Sequence, residues 1–359
     1  MATITSPQQD MGILKMMQRR RQLLNQAGVT LFALAILCIY LMPLGYGVVN
    51  SLKSSDQASD TRAPILPSDA MKFEYEGEMY EVFNVPVEGT LKQYAIIDPG
   101  RRNSTMIDTQ NVAAGPFEWE GNWRNLLPVT TTSFHWENYP KAWETIDFMR
   151  LLGNTTFYAI VTMFGTLIAS SMVAYGFSRF RFPLRGPLFI VLMSTIILPP
   201  AVTLVPTYAF FVKVLGWGGT WLPLIIPQMF GNAYNVFLLR QYFLTIPREM
   251  EEAAMIDGAG PIRTFLSVIL PQSIPALTAV ALFHFFFAWN DFFGPLIYLA
   301  GNRKANPITV GLTEFNGLNR TEPHLILAAA VISMIIPLSI FFMAQRVFIQ
   351  GIVTTGVDK

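Results

Sequence analysis

Hydrophobic residues in this chain fall in long runs that hold no charged side chain. Six stretches contain no Asp, Glu, Lys or Arg, and they are 22–52, 151–178, 186–212, 214–239, 264–290 and 323–345. A helix of about 20 apolar residues crosses a bilayer, so each stretch is long enough. The pattern predicts an all-α polytopic membrane protein with six transmembrane helices, at about 27–49, 155–177, 188–212, 222–239, 276–299 and 325–348.

The basic residues predict the orientation of these helices. Lys and Arg favour short loops on the cytoplasmic side. With the N-terminus inside, the inner segments hold twelve basic residues and the short outer loops hold four. We therefore expect an N-in, C-in protein with a cytoplasmic N-terminal segment 1–26 and a cytoplasmic tail 349–359. The first apolar run exceeds the length of a signal peptide and lacks a small-residue cleavage site, which favours an uncleaved anchor.

The pattern changes between the first two predicted helices. Residues 50–150 carry fifteen acidic and nine basic side chains, and apolar residues alternate with Glu on both sides of Gly77. Such alternation about a glycine is typical of a β-hairpin. We expect a small, mostly β extracytoplasmic domain inserted between helices 1 and 2. The alternative is a disordered acidic loop, which the many aromatic residues disfavour.

Composition narrows the function further. The chain is 52% hydrophobic and 14% charged, whereas soluble domains carry about 25% charged residues, so a soluble enzyme is excluded. A net charge of +1 without one broad basic patch argues against a nucleic-acid partner. The single Cys38 cannot form a disulfide within the chain or a cysteine zinc cluster. The three histidines are isolated in sequence, so we expect neither a metal site nor an intramembrane enzyme.

The stretch between the fourth and fifth predicted helices forms a distinctive loop, 245–271. Pro247 followed by three glutamates predicts a short helix, and Gly258 and Gly260 end it. A second short helix is expected after Pro261, with an apolar face at Ile262, Phe265, Leu266 and Ile269. Because the first helix is acidic, anionic lipid headgroups would repel it. An acidic protruding helix fits a basic cleft on a soluble partner better.

The same loop carries a recognisable motif. The run Glu252-Ala253-Ala254, then Gly258, then Val268-Ile269-Leu270-Pro271 resembles the EAA loop of permease subunits of binding-protein-dependent ABC importers. We call residues 245–271 the EAA loop. The likeness extends over about residues 151–359, which include the expected permease core of five transmembrane helices at 151–348 and the run from Ala174 to Arg179. It implies that the loop couples to an ATPase subunit through Glu252, Ala253, Ala254, Asp257, Gly258 and Pro271.

The resemblance also implies partners. The chain has no Gly-Lys pair and hence no phosphate-binding loop of an ATPase. It therefore needs no cofactor of its own, and ATP and Mg²⁺ would be bound by a dimer of partner ATP-binding subunits. A second, non-identical permease subunit and an extracytoplasmic solute-binding protein would complete the importer. The expected location is the plasma membrane of a bacterium or archaeon, and Gln350–Val357 is similar to the family's C-terminal tail.

Polar residues within the apolar runs are candidates for the transport path. They are Asn232, Asn235, His284, Trp289, Asn290 and Asp291. Each has a structural alternative, namely a helix–helix hydrogen bond or satisfaction of backbone near a kink at Gly294-Pro295. The run Trp289–Leu296 resembles the maltose-type, carbohydrate-uptake branch, which implies a sugar or oligosaccharide. The alternatives are an ABC importer of another solute, such as a polyamine, and an ion-coupled secondary carrier.

Overall fold

The computed structural model describes residues 7–60, 62–87, 90–316 and 321–354, without side-chain detail for 7–18, 200 and 346–354. It divides into two compact units, Met1–His135 and Trp136–Lys359. Residues 355–359 of the predicted tail lie outside the described residues. So do residues 1–6 and Arg320, which is one of the four basic residues predicted in the short outer loops.

The first unit begins with one long helix. Helix α1 spans Pro7–Ser51 and α2 spans Ser55–Ser59. The helix begins well before the apolar run, because the Gln, Met and Arg residues that are frequent ahead of the run are good helix formers. From Arg19 to Ser51 it is apolar enough to cross a membrane.

Strands follow in the same unit. They are β1 (Ser68–Ala70), β2 (Lys72–Tyr75), β3 (Glu78–Val87), β4 (Thr90–Asp98), β5 (Asn103–Asp108), β6 (Phe117–Glu120), β7 (Leu127–Pro128) and β8 (Thr130–Thr132). Strands β2 to β6 pair in sequence order, β7 pairs with β3, and β1 pairs with β8. The turn between β2 and β3 is at Glu76-Gly77, and both residues have positive φ.

The sheet of the first unit buries apolar residues on both faces. Phe83, Tyr94 and Met106 pack on one face, and Val82 and Ile107 pack on the other. This is the period of two that a pleated strand imposes on neighbouring side chains.

The second unit is helical. Its helices are α3 (Asn138–Thr145), α4 (Phe148–Arg179), α5 (Arg185–Ile197), α6 (Pro200–Tyr208), α7 (Leu222–Ile225), α8 (Ala233–Thr245), α9 (Arg248–Ile256), α10 (Pro261–Thr264), α11 (Leu270–Gln272), α12 (Ile274–Trp289), α13 (Phe293–Tyr298), α14 (Ile308–Gly311) and α15 (Pro323–Thr354). Two π-helical segments, Ala209–Val214 and Phe265–Ile269, extend α6 and α10. Helix α4 packs against α8 and α12.

Among the described residues, four helical segments are individually long and apolar enough to cross a membrane. They are Arg19–Ser51, Phe148–Arg179, Leu222–Thr245 and Pro323–Gln345. Two bent pairs would raise the number to six if each pair is one span. The first joins Arg185–Ile197 to Ala201–Val214 at 99°, and the second joins Pro261–Gln272 to Ile274–Trp289 at 80°.

Three predicted spans are interrupted rather than continuous. The third breaks at Leu198-Pro199, where the following prolines cannot donate backbone hydrogen bonds. The fourth breaks at Gly231-Asn232, between a 3₁₀ turn and α8. The fifth ends at Trp289 and resumes at Phe293, so the break precedes the predicted kink at Gly294-Pro295.

Candidate functional site

The EAA loop folds as two short helical segments joined by a glycine turn. Helix α9 follows Pro247, and Asp257 ends it. Gly258 has φ +79°, a left-handed conformation that glycine adopts without strain. Its backbone N–H donates to the Met255 carbonyl at 3.0 Å, which closes the helix end. The loop therefore has the two-helix form that the sequence predicts.

The predicted contact residues form an exposed face of this loop. Glu252, Ala253, Asp257 and Gly258 are exposed, and Ala254 is half-buried. Ile256 beside them is 87% exposed and Met255 is 55% exposed. Small and large apolar side chains exposed together on one short segment are typical of a protein interaction site.

The segment after Pro261 departs from the prediction. Phe265 and Ile269 are buried, but Ile262 and Leu266 are exposed. The four residues do not share one buried face, because the helix widens to π-type hydrogen bonding from Phe265 to Ile269 and the α-helical spacing no longer holds.

Pro271 does not belong to α9, unlike most of the other predicted contact residues. It lies inside α11, which ends one residue later at Gln272, just before the bend into α12. At that bend the Ser273 hydroxyl donates to the Ile269 carbonyl at 2.7 Å. Pro271 therefore marks the junction between the EAA loop and the fifth apolar run.

One glutamate of the loop is buried, and it is not the residue of the motif. Glu251 Oε1 lies 2.5 Å from Arg179 Nε at the end of α4, and both side chains are less than 10% exposed. The motif implies a coupling role for Glu252 and does not single out the pair of Arg179 and Glu251. Neighbouring residues on a helix point about 100° apart, so adjacent glutamates cannot share an environment.

Of the intramembrane candidates, three are buried within the second unit. Asn235, His284 and Trp289 are each less than 5% exposed. His284 Nε2 lies 3.4 Å from the Thr166 hydroxyl on α4. Trp289 packs against Phe285 with ring centroids 5.4 Å apart. Both contacts are internal to the unit: the first joins α12 to α4, and the second lies within α12.

Asn232 is half-buried at the break before α8. Its side-chain oxygen accepts a hydrogen bond from the Asn235 backbone N–H at 2.9 Å. This is an N-cap, the usual role of Asn at a helix start. The contact accounts for the position of Asn232 at the break.

Asp291 occupies the break between α12 and α13. One carboxylate oxygen accepts the Gly294 backbone N–H at 3.1 Å, and the other accepts the Tyr158 hydroxyl at 2.9 Å. The Thr309 hydroxyl donates to the Asp291 carbonyl at 2.6 Å. Asp291 thus accepts a backbone N–H at the break, and its hydrogen bond with Tyr158 connects the break to α4.

Asn290 differs from its neighbours because it is exposed. Its side-chain amide donates to the Phe286 carbonyl at 2.8 Å. Phe283 and Phe287, which are 44% and 59% exposed, precede it at intervals of seven and three residues. Residues at this spacing share one helix face, so α12 presents an aromatic face ending in an amide.

No group of three or more His, Cys, Asp or Glu side chains is arranged to hold a metal ion in the described ranges 7–60, 62–87, 90–316 and 321–354.

Comparison with known families decides the identity of the helical unit. The model of the "binding-protein-dependent transport system inner membrane component" family matches residues 162–353, which include the whole EAA loop and every intramembrane candidate. The chain belongs to this family. It is therefore an inner-membrane permease, and the resemblance to permease subunits of binding-protein-dependent importers is confirmed.

Curated relatives of this permease are also permeases. The "osmoprotective compounds uptake permease protein" GgtD of Synechocystis sp. is 32% identical over 233 residues, covering 65% of this chain and 78% of the relative. The "sn-glycerol-3-phosphate transport system permease protein" UgpE of Rhizobium meliloti is 34% identical over 239 residues, covering 64% and 83%.

A solved structure shares the fold of this permease. A chain from a crystal structure of a bacterial ABC transporter involved in the import of the acidic polysaccharide alginate aligns over 96% of this chain and 99% of its own length, with a TM-score of 0.59. Because the two sequences are only 20% identical, the likeness establishes the fold alone, which is that of an ABC permease.

Proposed function

We propose that this permease is one transmembrane subunit of an ATP-driven importer that takes up a sugar or oligosaccharide delivered by a solute-binding protein. A dimer of separate ATP-binding subunits would hold ATP and Mg²⁺ and move the permease through the EAA loop. A second, non-identical permease subunit would supply the other half of the pathway.

The exposed face of α9 carries this proposal. This face consists of four exposed residues within the EAA loop, namely Glu252, Ala253, Met255 and Ile256. Small side chains such as Ala253 permit close approach of a partner's backbone, and Ile256 offers an apolar anchor. Glu252 is positioned to meet a basic group at the rim of the partner's groove.

The proposed topology follows from the apolar runs. The four long segments and one span from each bent pair give six, with the Pro261–Gln272 part of the second pair left in the cytoplasmic EAA loop and both termini in the cytoplasm. Residues 1–26 and 349–359 are then cytoplasmic, the core spans 151–348, and residues 50–150 lie outside. The strands of the first unit fall within this outer segment, where they would face the solute-binding protein or brace the second permease.

The transport path is assigned to exposed polar and aromatic groups. Asn290 and the Phe283–Phe287 face of α12 are available to a solute or to the second permease, and sugars are bound by hydrogen bonds and aromatic faces. Asn232, Asn235, His284, Trp289 and Asp291 would shape that path by holding the helices rather than by touching solute. The relative named for sn-glycerol-3-phosphate, a hydroxyl-bearing solute, favours a hydroxyl-bearing cargo over a polyamine.

Uptake by the reconstituted importer tests the proposal. We expect uptake of radiolabelled sugars, but not of polyamines, to depend on ATP and on the binding protein. Glu252→Lys should abolish uptake while membrane insertion stays normal, and Glu144→Lys on α3, which is also exposed, should leave uptake unchanged. Uptake without ATP would favour an ion-coupled carrier, and preferential uptake of a polyamine would reject the sugar assignment.

A further inference from the structure

The buried pair of Arg179 and Glu251 joins two elements that lie far apart in the sequence. Arg179 ends the long apolar helix α4, whereas Glu251 belongs to the first turn of α9. Burying two charges is costly, and such pairs add little net stability over apolar side chains of similar size. What they do supply is a defined geometry, because any displacement separates the charges.

Further contacts between the same elements reinforce the pair. The Arg179 guanidinium also donates to the Ile246 carbonyl at 2.8 Å, just before α9. One turn earlier on α4, the Tyr175 hydroxyl donates to the Pro261 carbonyl at 3.2 Å, just after α9. The Tyr175 ring also packs on Phe265 at 4.8 Å between centroids. We call Tyr175, Arg179 and Glu251 the brace, since they hold α9 at both of its ends.

The far part of α4 reaches the break in the fifth apolar run. Tyr158, on the same continuous helix, donates to Asp291 at 2.9 Å. Twenty-one residues separate Tyr158 from Arg179, which is about 32 Å along a straight helix. A rigid element therefore connects the EAA loop with the break between α12 and α13.

We propose that Tyr175 and Arg179 are positioning residues that transmit movement of α9 into α4, and through Tyr158 to the Asp291 break. The inference rests on the proposed function, in which an ATPase subunit binds the exposed face of α9. It differs from that proposal because the brace lies on the buried side of the loop and does not contact the partner. Docking and transmission are thus assigned to different residues.

This assignment predicts a specific defect. If the contacts of the brace are removed, the ATPase subunits still bind the exposed face and hydrolyse ATP, but their movement is transmitted to α4 only weakly. We expect solute transported per ATP to fall about tenfold, in the range in which mutations change coupling between sites. A purely structural role would lower the amount of assembled protein without changing this ratio.

A cleavable crosslink tests the prediction in the assembled importer. Arg179→Cys and Glu251→Cys are combined in a Cys38→Ser background and joined with a short thiol crosslinker that a reductant cleaves. Before crosslinking we expect normal co-purification of ATPase subunits, retained ATP hydrolysis and about tenfold less transport per ATP. Crosslinking should restore the ratio, and reduction should lower it again.

Two further variants keep the result interpretable. Arg303→Cys with Glu314→Cys replaces an ion pair of the same 2.5 Å separation in which Arg303 is 73% exposed, and the ratio should not change. Tyr175→Phe removes one hydroxyl and keeps the ring, so it should fold and lower the ratio by about threefold.

The outcomes separate the two proposals. A normal transport ratio in the reduced double variant and in Tyr175→Phe, or a ratio unaffected by crosslinking, would overturn the brace. Loss of ATPase subunits from the brace variants alone would also overturn it, because the pair would then serve docking. Failure of the unmodified permease to co-purify with ATPase subunits would reject the proposed function instead.

Discussion

Truncation of Ile256 to alanine is the sharpest test of the docking face. Ile256 ends α9 and is 87% exposed in this chain, so almost its whole side chain is available to a partner. The change removes three carbons at about 0.8 kcal/mol each, or about 2 kcal/mol if the partner buries most of them. This loss should raise the dissociation constant about thirtyfold. Alanine is the better helix former, so α9 should remain intact.

The assay measures the affinity of the ATPase subunits for permease held in lipid nanodiscs, by titration with light scattering or fluorescence. Ile65→Ala is the matched control, because Ile65 is 77% exposed in the first unit and undergoes the same truncation. We expect an unchanged dissociation constant for Ile65→Ala. A change of less than about threefold for Ile256→Ala, or equal changes for both variants, would refute the reasoning.

Two other predictions concern stability. Tyr158→Phe removes the hydroxyl that donates to Asp291 and should lower the free energy of unfolding by about 1 kcal/mol. The measurement is thermal unfolding of the detergent-solubilised protein. An unaltered midpoint would contradict a stabilising role for this hydrogen bond. In the first unit, burial raises the pKa of Asp69, but hydrogen bonds from His135, Ser133 and Ser54 and the His135 charge outweigh it and leave the pKa below its ordinary value. The resulting stabilisation is present above about pH 4 and is lost as pH falls below it. Amide protection in β1, measured relative to the intrinsic exchange rate at each pH, should therefore decrease below about pH 4, and Asp69→Asn should remove this dependence.

The sequence predicts the apolar helices well because their signal is local. A run without charges must be buried or lie in lipid, whatever its neighbours are. The EAA motif is likewise local, and it locates α9 and the turn at Gly258. These features depend on residues that are adjacent or a few positions apart.

The breaks within the apolar runs are harder to predict. Proline and glycine also occur in continuous transmembrane helices, where neighbouring groups satisfy the freed backbone. At the fifth run, the break is positioned by Asp291, Tyr158 and Thr309, which come together only in the folded unit. No pattern within the run itself identifies such partners.

The roles of individual site residues depend on the same long-range contacts. Glu251 and Glu252 look equivalent in the sequence. In the structure Glu251 is buried and pairs with Arg179, whereas Glu252 is exposed. Asn290 and Asp291 also look alike as polar neighbours, but only Asn290 is exposed. The run from Ala174 to Arg179, already part of the family resemblance, was the one available sign that Arg179 has a specific role.

Site-specific crosslinking from position 256 tests the central claim most directly. A photo-crosslinking amino acid replaces Ile256 in the permease expressed with its full transporter, and the product is identified by mass spectrometry. The account predicts a crosslink to a nucleotide-hydrolysing subunit. A crosslink to the solute-binding protein, or labelling of position 256 by reagents confined to the outer side of the membrane, would contradict it.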